Sequence, residues 1–476
     1  MKKKNLFLIG LLLVNFNLYS DSYHNINAFI GERASGMGGA YTAISDDASG
    51  VYYNPAGIAF TYENSLSLSS SIYKKATKTY QNVFGPWQNY TRKSDDFSPN
   101  FIGSILNYNK YKIAFSVISQ SNDKFDQMDQ FLQPLGLPSL GSYRINYSED
   151  NSTYLVGPSI AYSFSEKFSI GTTLYYMQDS SKVISTQYSE GIDGSIVQSN
   201  VFDKRRSVGI VPILGIQYIP KDKLSIGLSL KMIRNFGGTR QITELKNTSS
   251  TADISSITQN SKRMGAKIEG GEIIINPPET NKIPETIEVR TGFAYFYSPK
   301  FLFSSDLIYT SGYTKIENRD RYELSNPSIF LYDNNNQELS RESTMNFAFG
   351  LEYYLKEKFA IRFGYFTNFA NSKEIKWLAS AIQSYLAANQ RNYGIISYDN
   401  PYVYYIPSSL NPPLRFEYVN NQGFSFGMSW VTSSSSITLT YVIEKGKGSS
   451  HINSELPSQP LIYNSSSLYL IATSRR

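Results

Sequence analysis

Leu224, Ile226, Leu228, Leu230 and Met232 stand at every second position, with Ser225, Gly227, Ser229 and Lys231 between them. Only an extended chain sorts such residues onto opposite sides, so this stretch is a strand with one apolar and one polar face. The same cadence sets Phe168, Ile170 and Leu174 against Ser169, Gly171 and Thr173. It also sets Phe359, Ile361, Phe363 and Tyr365 against Ala360, Arg362 and Gly364. A soluble sandwich alternates in this way too, so the cadence alone leaves its surroundings open.

The connections discriminate further. Short charged turns recur at Ser165-Glu166-Lys167, Pro220-Lys221-Asp222-Lys223, Ser298-Pro299-Lys300 and Lys356-Glu357-Lys358, with further turns near Asn109-Lys110 and Ser433 to Ser435. Long polar connections lie between them, among them 123–150, 238–283 and 372–412. Strict alternation of short and long connections is the habit of outer-membrane barrels, which keep short turns on the periplasmic side and long loops outside. Six short and seven long connections join fourteen strands, expected to start at 62, 98, 111, 152, 168, 203, 224, 284, 301, 342, 359, 421, 436 and 465. The expected fold class is therefore all-β, a 14-stranded antiparallel transmembrane β-barrel with a small N-terminal hatch ahead of it. Aromatics precede the short turns at Tyr162, Phe164, Tyr218, Tyr295, Tyr297, Tyr353 and Tyr354. There they form a girdle at a membrane interface, the alternative being ordinary aromatic packing in a soluble sheet. Only closure satisfies every backbone group of such strands in lipid.

Lys2, Lys3 and Lys4, the apolar run Leu6 to Val14 and the small, polar residues reached by Ser20 follow the plan of a secretory signal, too short to serve as a membrane anchor. Residues 1–20 read as signal peptide, 21–60 as hatch and 61–476 as barrel. Losing the three lysines takes the formal charge from +6 to +3, a balance that points to no nucleic-acid partner. There is no Cys for a disulfide framework or thiolate metal site, and 38 Tyr and 28 Phe stand against two His.

Ahead of the first strand runs Gly31-Glu32-Arg33-Ala34-Ser35-Gly36-Met37-Gly38-Gly39-Ala40-Tyr41-Thr42-Ala43. Ser45-Asp46-Asp47-Ala48-Ser49 and Tyr53-Asn54-Pro55-Ala56-Gly57 follow. Gly36, Gly38 and Gly39 allow tight folding and close backbone approach. Asp46 and Asp47 suit capping a helix or turn, or pairing with lumen lysines and arginines. Pro55 fixes its own φ and holds Asn54 extended, with Ala56 completing a stiff Asn-Pro-Ala element. Each of these also fits a plain surface turn.

Over residues 31 to 60 this pattern resembles the hatch of the FadL/TodX family of outer-membrane transporters for long-chain fatty acids and aromatic hydrocarbons; secretion-associated barrels carry a similar opening. The resemblance implies passive diffusion. A fatty acid or hydrocarbon would be captured at the outer loops, enter an apolar lumen pocket, displace hatch contacts and leave sideways through the wall, with no cofactor. It further implies residence in a Gram-negative-type outer membrane, contact with its lipid, and insertion by the barrel-assembly machinery. For capture, Glu374 to Gln390 places Ile375, Leu378, Ala379, Ile382 and Leu386 at helical spacing, a face that shields a guest or packs over the mouth. Tyr23, Ile26 and Phe29 are candidates to line the pocket or to be disordered. Two departures stand out. Tyr111 to Ser121 lacks the Gly or Pro that a kinked exit wall needs, and the chain ends Thr473-Ser474-Arg475-Arg476 rather than on an aromatic.

Other functions fit less well. Gly36-Met37-Gly38-Gly39 lacks the preceding strand and the Lys-Ser or Lys-Thr pair of a phosphate loop. An enzyme in the wall needs a nucleophile and base in register, yet His24 and His451 lie ahead of the hatch and in the last outer loop. Metal sites are poorly supplied for the same reason. The remaining alternative is a non-transporting surface protein, an adhesin or a secretion-docking barrel, which long Ser/Thr/Asn-rich loops also suit.

Overall fold

The structure, a computed structural model, describes residues 24–26, 28–61, 64–121, 124–135, 140–192, 194, 196–249, 267–275, 284–317, 337–338, 340–376, 417–452 and 457–475. The fourteen barrel strands are β1 (Ser65–Tyr80), β2 (Tyr90–Tyr108), β3 (Tyr111–Ser121), β4 (Leu140–Ser165), β5 (Phe168–Gly191), β6 (Ile196–Lys221) and β7 (Leu224–Ser249), then β8 (Thr286–Ser298), β9 (Phe301–Thr310), β10 (Thr344–Lys356), β11 (Phe359–Asn368), β12 (Glu417–Val431), β13 (Ser435–Ser450) and β14 (Gln459–Arg475). Every neighbouring pair is antiparallel. β14 returns to β1 from Ser65↔Arg475 to Tyr80↔Leu461, so the sheet is closed. Two further strands, Phe125–Leu132 and Lys267–Ile275, pair with the far ends of β4 and β7.

The alternation sorts residues as the sequence requires. Leu66, Ile113, Leu174, Leu214, Leu228, Phe293, Phe363, Phe426 and Leu439 point outward and lie exposed, while the residues between them face the lumen. An apolar surface of this extent around a whole cylinder is untenable in water. Outward aromatics ring the short-turn end: Tyr111 meets Tyr162 at 4.9 Å between centroids, Tyr162 meets Phe164 at 4.8 Å, and Tyr297 meets Phe301 at 6.3 Å.

Strand starts after the short turns fall where the alternation puts them, at 111, 168, 224, 301 and 359, with 435 in place of 436. Starts entered from the long loops need correction. β2, β4, β6, β12 and β14 begin at 90, 140, 196, 417 and 459 rather than 98, 152, 203, 421 and 465, and β1, β8 and β10 begin at 65, 286 and 344 rather than 62, 284 and 342. The expected loops 123–150 and 238–283 accordingly contain strand. The reason is physical: apolar alternation marks only the lipid-height part of a strand, roughly ten residues. β4, β6 and β7 run 26 residues each. Beyond the belt both faces are polar, and pairing continues without a pattern to reveal it.

At the long-loop end a buried cluster closes part of the mouth. Glu417 at the start of β12 bonds Lys78 at 2.9 Å and the Tyr80 hydroxyl, with Arg92 at 4.0 Å. The Arg92 guanidinium lies 3.6 Å from the Tyr147 ring centroid. Burial works to raise the Glu417 carboxyl, but Lys78, Arg92 and the Tyr80 hydroxyl outweigh it and hold it below its ordinary 4.5. A depressed carboxyl stabilises above its unfolded value and ceases to as pH falls through its folded one. The stability gap between wild type and Glu417→Gln is therefore expected to be full near neutrality and to narrow below pH 4.5, read by heat-modified gel mobility.

Candidate functional site

Residues 28–61 form two short helices, α1 (Glu32–Gly36) and α2 (Gly50–Tyr53), and a 3-10 turn, Pro55–Phe60. So irregular a backbone satisfies only part of its hydrogen bonds within itself, and inward side chains of the wall satisfy others. Asn100 of β2 donates to Phe29 O, Thr173 of β5 to Val51 O, Gln217 of β6 and Ser225 of β7 to Ala43 O, and Ser425 of β12 to Gly36 O. On β9 the Asp306 carboxylate accepts Tyr41 N at 3.0 Å, Thr42 N at 2.9 Å and the Thr42 hydroxyl at 2.6 Å. Contacts from strands all round a closed sheet place the segment within the lumen.

The wall makes room for it with glycine. Gly171, Gly215, Gly227, Gly292, Gly350, Gly364 and Gly427 all face inward against this segment. Gly171 pairs with Gly215, Gly227 with Gly292, and Gly350 with Gly364. A Cβ on Gly215 would lie 2.1 Å from Asn54 Oδ1, and one on Gly364 2.1 Å from Gly38 N. Backbone therefore rests on backbone.

The residues singled out by sequence lie at this seat. Gly38 and Gly39 adopt φ of 62° and 82°, open to glycine with little strain, and Gly36 fits against Arg362. Asn54, extended at φ −155°, donates to Thr42 O at 2.8 Å and to Ile216 O of β6 at 3.0 Å, while its Oδ1 accepts Ala56 N at 3.1 Å. Pro55 and Ala56 lie on Gly171 and Gly215, and Ser169 donates to Ala56 O at 2.8 Å. Asp47 accepts the Ser49 amide at 2.8 Å, and the Ser49 hydroxyl, just ahead of α2.

Asp46 pairs within the segment, with Arg33 at 2.6 Å. Arg33 in turn reaches Glu352 of β10 at 2.6 Å, which also holds Arg362 of β11 at 2.7 Å. Glu32 lies 3.8 Å from Arg362, completing an ion chain near the short-turn end. Breaking one member of a buried chain of this kind costs about 3–5 kcal/mol.

Above the segment, toward the long loops, a cavity of about 300 Å³ opens. Tyr52, Leu155, Met177, Val211 and Ile233 give it apolar surface, and Asn151, Thr153, Asp179, Arg205 and Arg206 polar surface. Ile26 and Phe29 line a separate recess of about 20 Å³ with Phe366 and Tyr469 instead. Ile375 is buried but does not line the large cavity. Tyr23, Leu378 and Ile382 lie outside the described residues, as does nearly all of the expected helix 374–390, whose described part, 374–376, is not helical. The cavity residues, the glycine seat, Asp306 and Tyr52 were not identified from sequence.

Solved structures share this architecture. The Ralstonia pickettii toluene transporter TbuX superposes with a TM-score of 0.56 at 12% identity, over 95% of this chain and 99% of its own. The fold is that of the FadL/TodX barrels. A FadL homologue of Pseudomonas aeruginosa gives a TM-score of 0.53 at 11% identity over 96% and 99% of the two chains. The Pseudomonas putida toluene transporter TodX gives 0.53 at 11% over 94% and 98%. No protein-family model matches the sequence, and no curated protein matches it. Against this FadL/TodX-type frame, β3 stays regular, paired without a register shift to β2 from Tyr108↔Tyr111 to Phe101↔Ile118 and to β4 along its whole length.

Proposed function

We propose that the chain is an outer-membrane passive diffusion channel for hydrophobic compounds such as long-chain fatty acids or hydrocarbons, with the inner segment acting as a hatch that ligand displaces. The observation that carries this reading is a cavity with an apolar patch of Tyr52, Leu155, Met177, Val211 and Ile233 in an otherwise polar lining, directly above a stopper seated in a closed barrel. An empty fourteen-strand barrel would conduct water and salt, whereas this lumen is filled at the level of the glycine seat. A hydrophobic guest resting on Leu155, Met177 and Val211 is removed from water. In this reading passage runs past the hatch, down the ligand's own gradient. The solved neighbours with this fold include toluene transporters and a monoaromatic hydrocarbon channel, which supports the ligand class.

Asn54→Ala with Pro55→Ala removes the bonds to Thr42 O, Ile216 O and Ala56 N. It is expected to change uptake of radiolabelled oleate or toluene severalfold while leaving a heat-modifiable, inserted barrel. Unchanged uptake would contradict the hatch role. Lipid extraction of the purified wild type that yields no stoichiometric fatty acid or hydrocarbon, with no uptake by cells, would favour a docking barrel or adhesin.

A further inference from the structure

Three residues ahead of the first strand line the large cavity, His24, Asn25 and Tyr52. Tyr52 is the one carried by a helix, and it is 7% exposed. Its hydroxyl receives a hydrogen bond from Gln120 Nε2 of β3 at 2.8 Å and another from Lys231 Nζ of β7 at 3.4 Å, so a single phenol ties α2 to two distant strands. The Lys231 ammonium also lies 4.5 Å from the ring centroid.

Behind Tyr52 stands a column of rings. Tyr53 meets it edge-on at 5.3 Å, and Tyr41 meets Tyr53 edge-on at 5.7 Å. The Tyr53 hydroxyl accepts Ile30 N at 3.1 Å, and the Tyr41 hydroxyl donates to Asp46 at 2.9 Å. Asp46 is the partner of Arg33, which holds Glu352 of the wall. Contiguous contacts thus run from the cavity to the ion chain at the opposite end of the segment. Most of the segment's other wall hydrogen bonds join wall side chains to its backbone.

We infer that Tyr52 is the positioning residue through which a hydrophobic ligand in the cavity acts on the hatch. A guest on the apolar lining displaces the phenol from Gln120 and Lys231, and the tyrosine column carries that shift to the Tyr53–Ile30 bond and the Asp46–Arg33 pair. This rests on the transport reading above. A chain of contacts becomes coupling only when it is shown to respond as one element, and amide hydrogen exchange over residues 28–60 reports that response directly.

The test uses purified full-length protein with and without oleate, and separately with and without toluene. Exchange in the hatch of the wild type is expected to rise about tenfold on adding a probe that binds, the order that loss of one or two hydrogen bonds gives. Tyr52→Phe keeps the ring and loses the acceptor. It is expected to bind the same probe within about threefold while the ligand-dependent rise shrinks below about twofold, the remaining lining being intact. Gln120→Ala alters only the wall and is expected to fall between the two. A full ligand-dependent rise in Tyr52→Phe overturns the inference, and so does loss of probe binding, which would make Tyr52 an ordinary contact. Wild-type uptake without any change in exchange overturns this inference alone; absence of both binding and uptake overturns the transport reading with it.

Discussion

Replacing Gly215 by Val is expected to convert a closed barrel into a leaking one. At this position a Cβ would lie 2.1 Å from Asn54 Oδ1 and 2.9 Å from both Ala56 N and Pro55 Cδ, atoms of the inner segment. The wall holds this position on both sides, because Gly215 pairs with Gly171 on β5 and Ser229 on β7. Overpacking of this kind costs about 1–3 kcal/mol. Borne by the docked state alone, about 2 kcal/mol lowers the seated fraction relative to the unseated one by about thirtyfold. Planar-bilayer recordings should show steady ionic current where the wild type is nearly silent, and cells should become sensitive to bulky polar antibiotics. Gly141→Val is the control, since a Cβ there meets nothing closer than 3.7 Å. Equal, low conductance in all three proteins would contradict the seat.

That seat was written in the sequence in a form that alternation alone does not disclose. Gly215-Ile216-Gln217-Tyr218, Gly292-Phe293-Ala294-Tyr295 and Gly350-Leu351-Glu352-Tyr353 repeat one spacing ahead of a short turn, with the tyrosine outward in the girdle and the glycine inward. Ser169-Ile170-Gly171 and Ser225-Ile226-Gly227 repeat another just after one. An inward glycine in a single strand reads as any small lumen residue. Only cross-strand register brings Gly171 beside Gly215 and Gly227 beside Gly292, and so turns scattered small residues into a floor. The lipid-facing half of the barrel was legible for the opposite reason: Leu224 to Met232 announce their environment locally, without need of a partner strand.

The outer reaches of the strands and the cavity were not legible, for related reasons. Asp179, Arg205 and Arg206 lie where neither face of the strand meets lipid, so no period marks them. Leu155, Met177 and Val211 come from three strands and face the lumen, the side on which alternation anticipates polar residues. Asp46 illustrates a different gap. Its charge suited a cap or a lysine or arginine of the lumen; the cation it meets is Arg33, thirteen residues away in the same segment, and the wall enters one step later through Glu352.

Movement of the hatch is the proposition on which passage depends, and a reversible lock tests it. Ser35 Oγ of α1 lies 3.3 Å from Thr440 Oγ1 of β13, and both residues are fully buried. The chain has no cysteine, so Ser35→Cys with Thr440→Cys supplies the only pair of thiols, already at a separation from which a disulfide closes with little movement. Once formed, that bond ties the inner segment to the wall at a point where the proposed passage requires them to part. The measurement is uptake of radiolabelled oleate and toluene by cells carrying this double variant, oxidised and then reduced. The account predicts that uptake falls on oxidation to the level of cells lacking the protein and returns with reductant; full uptake through quantitatively cross-linked protein would contradict it.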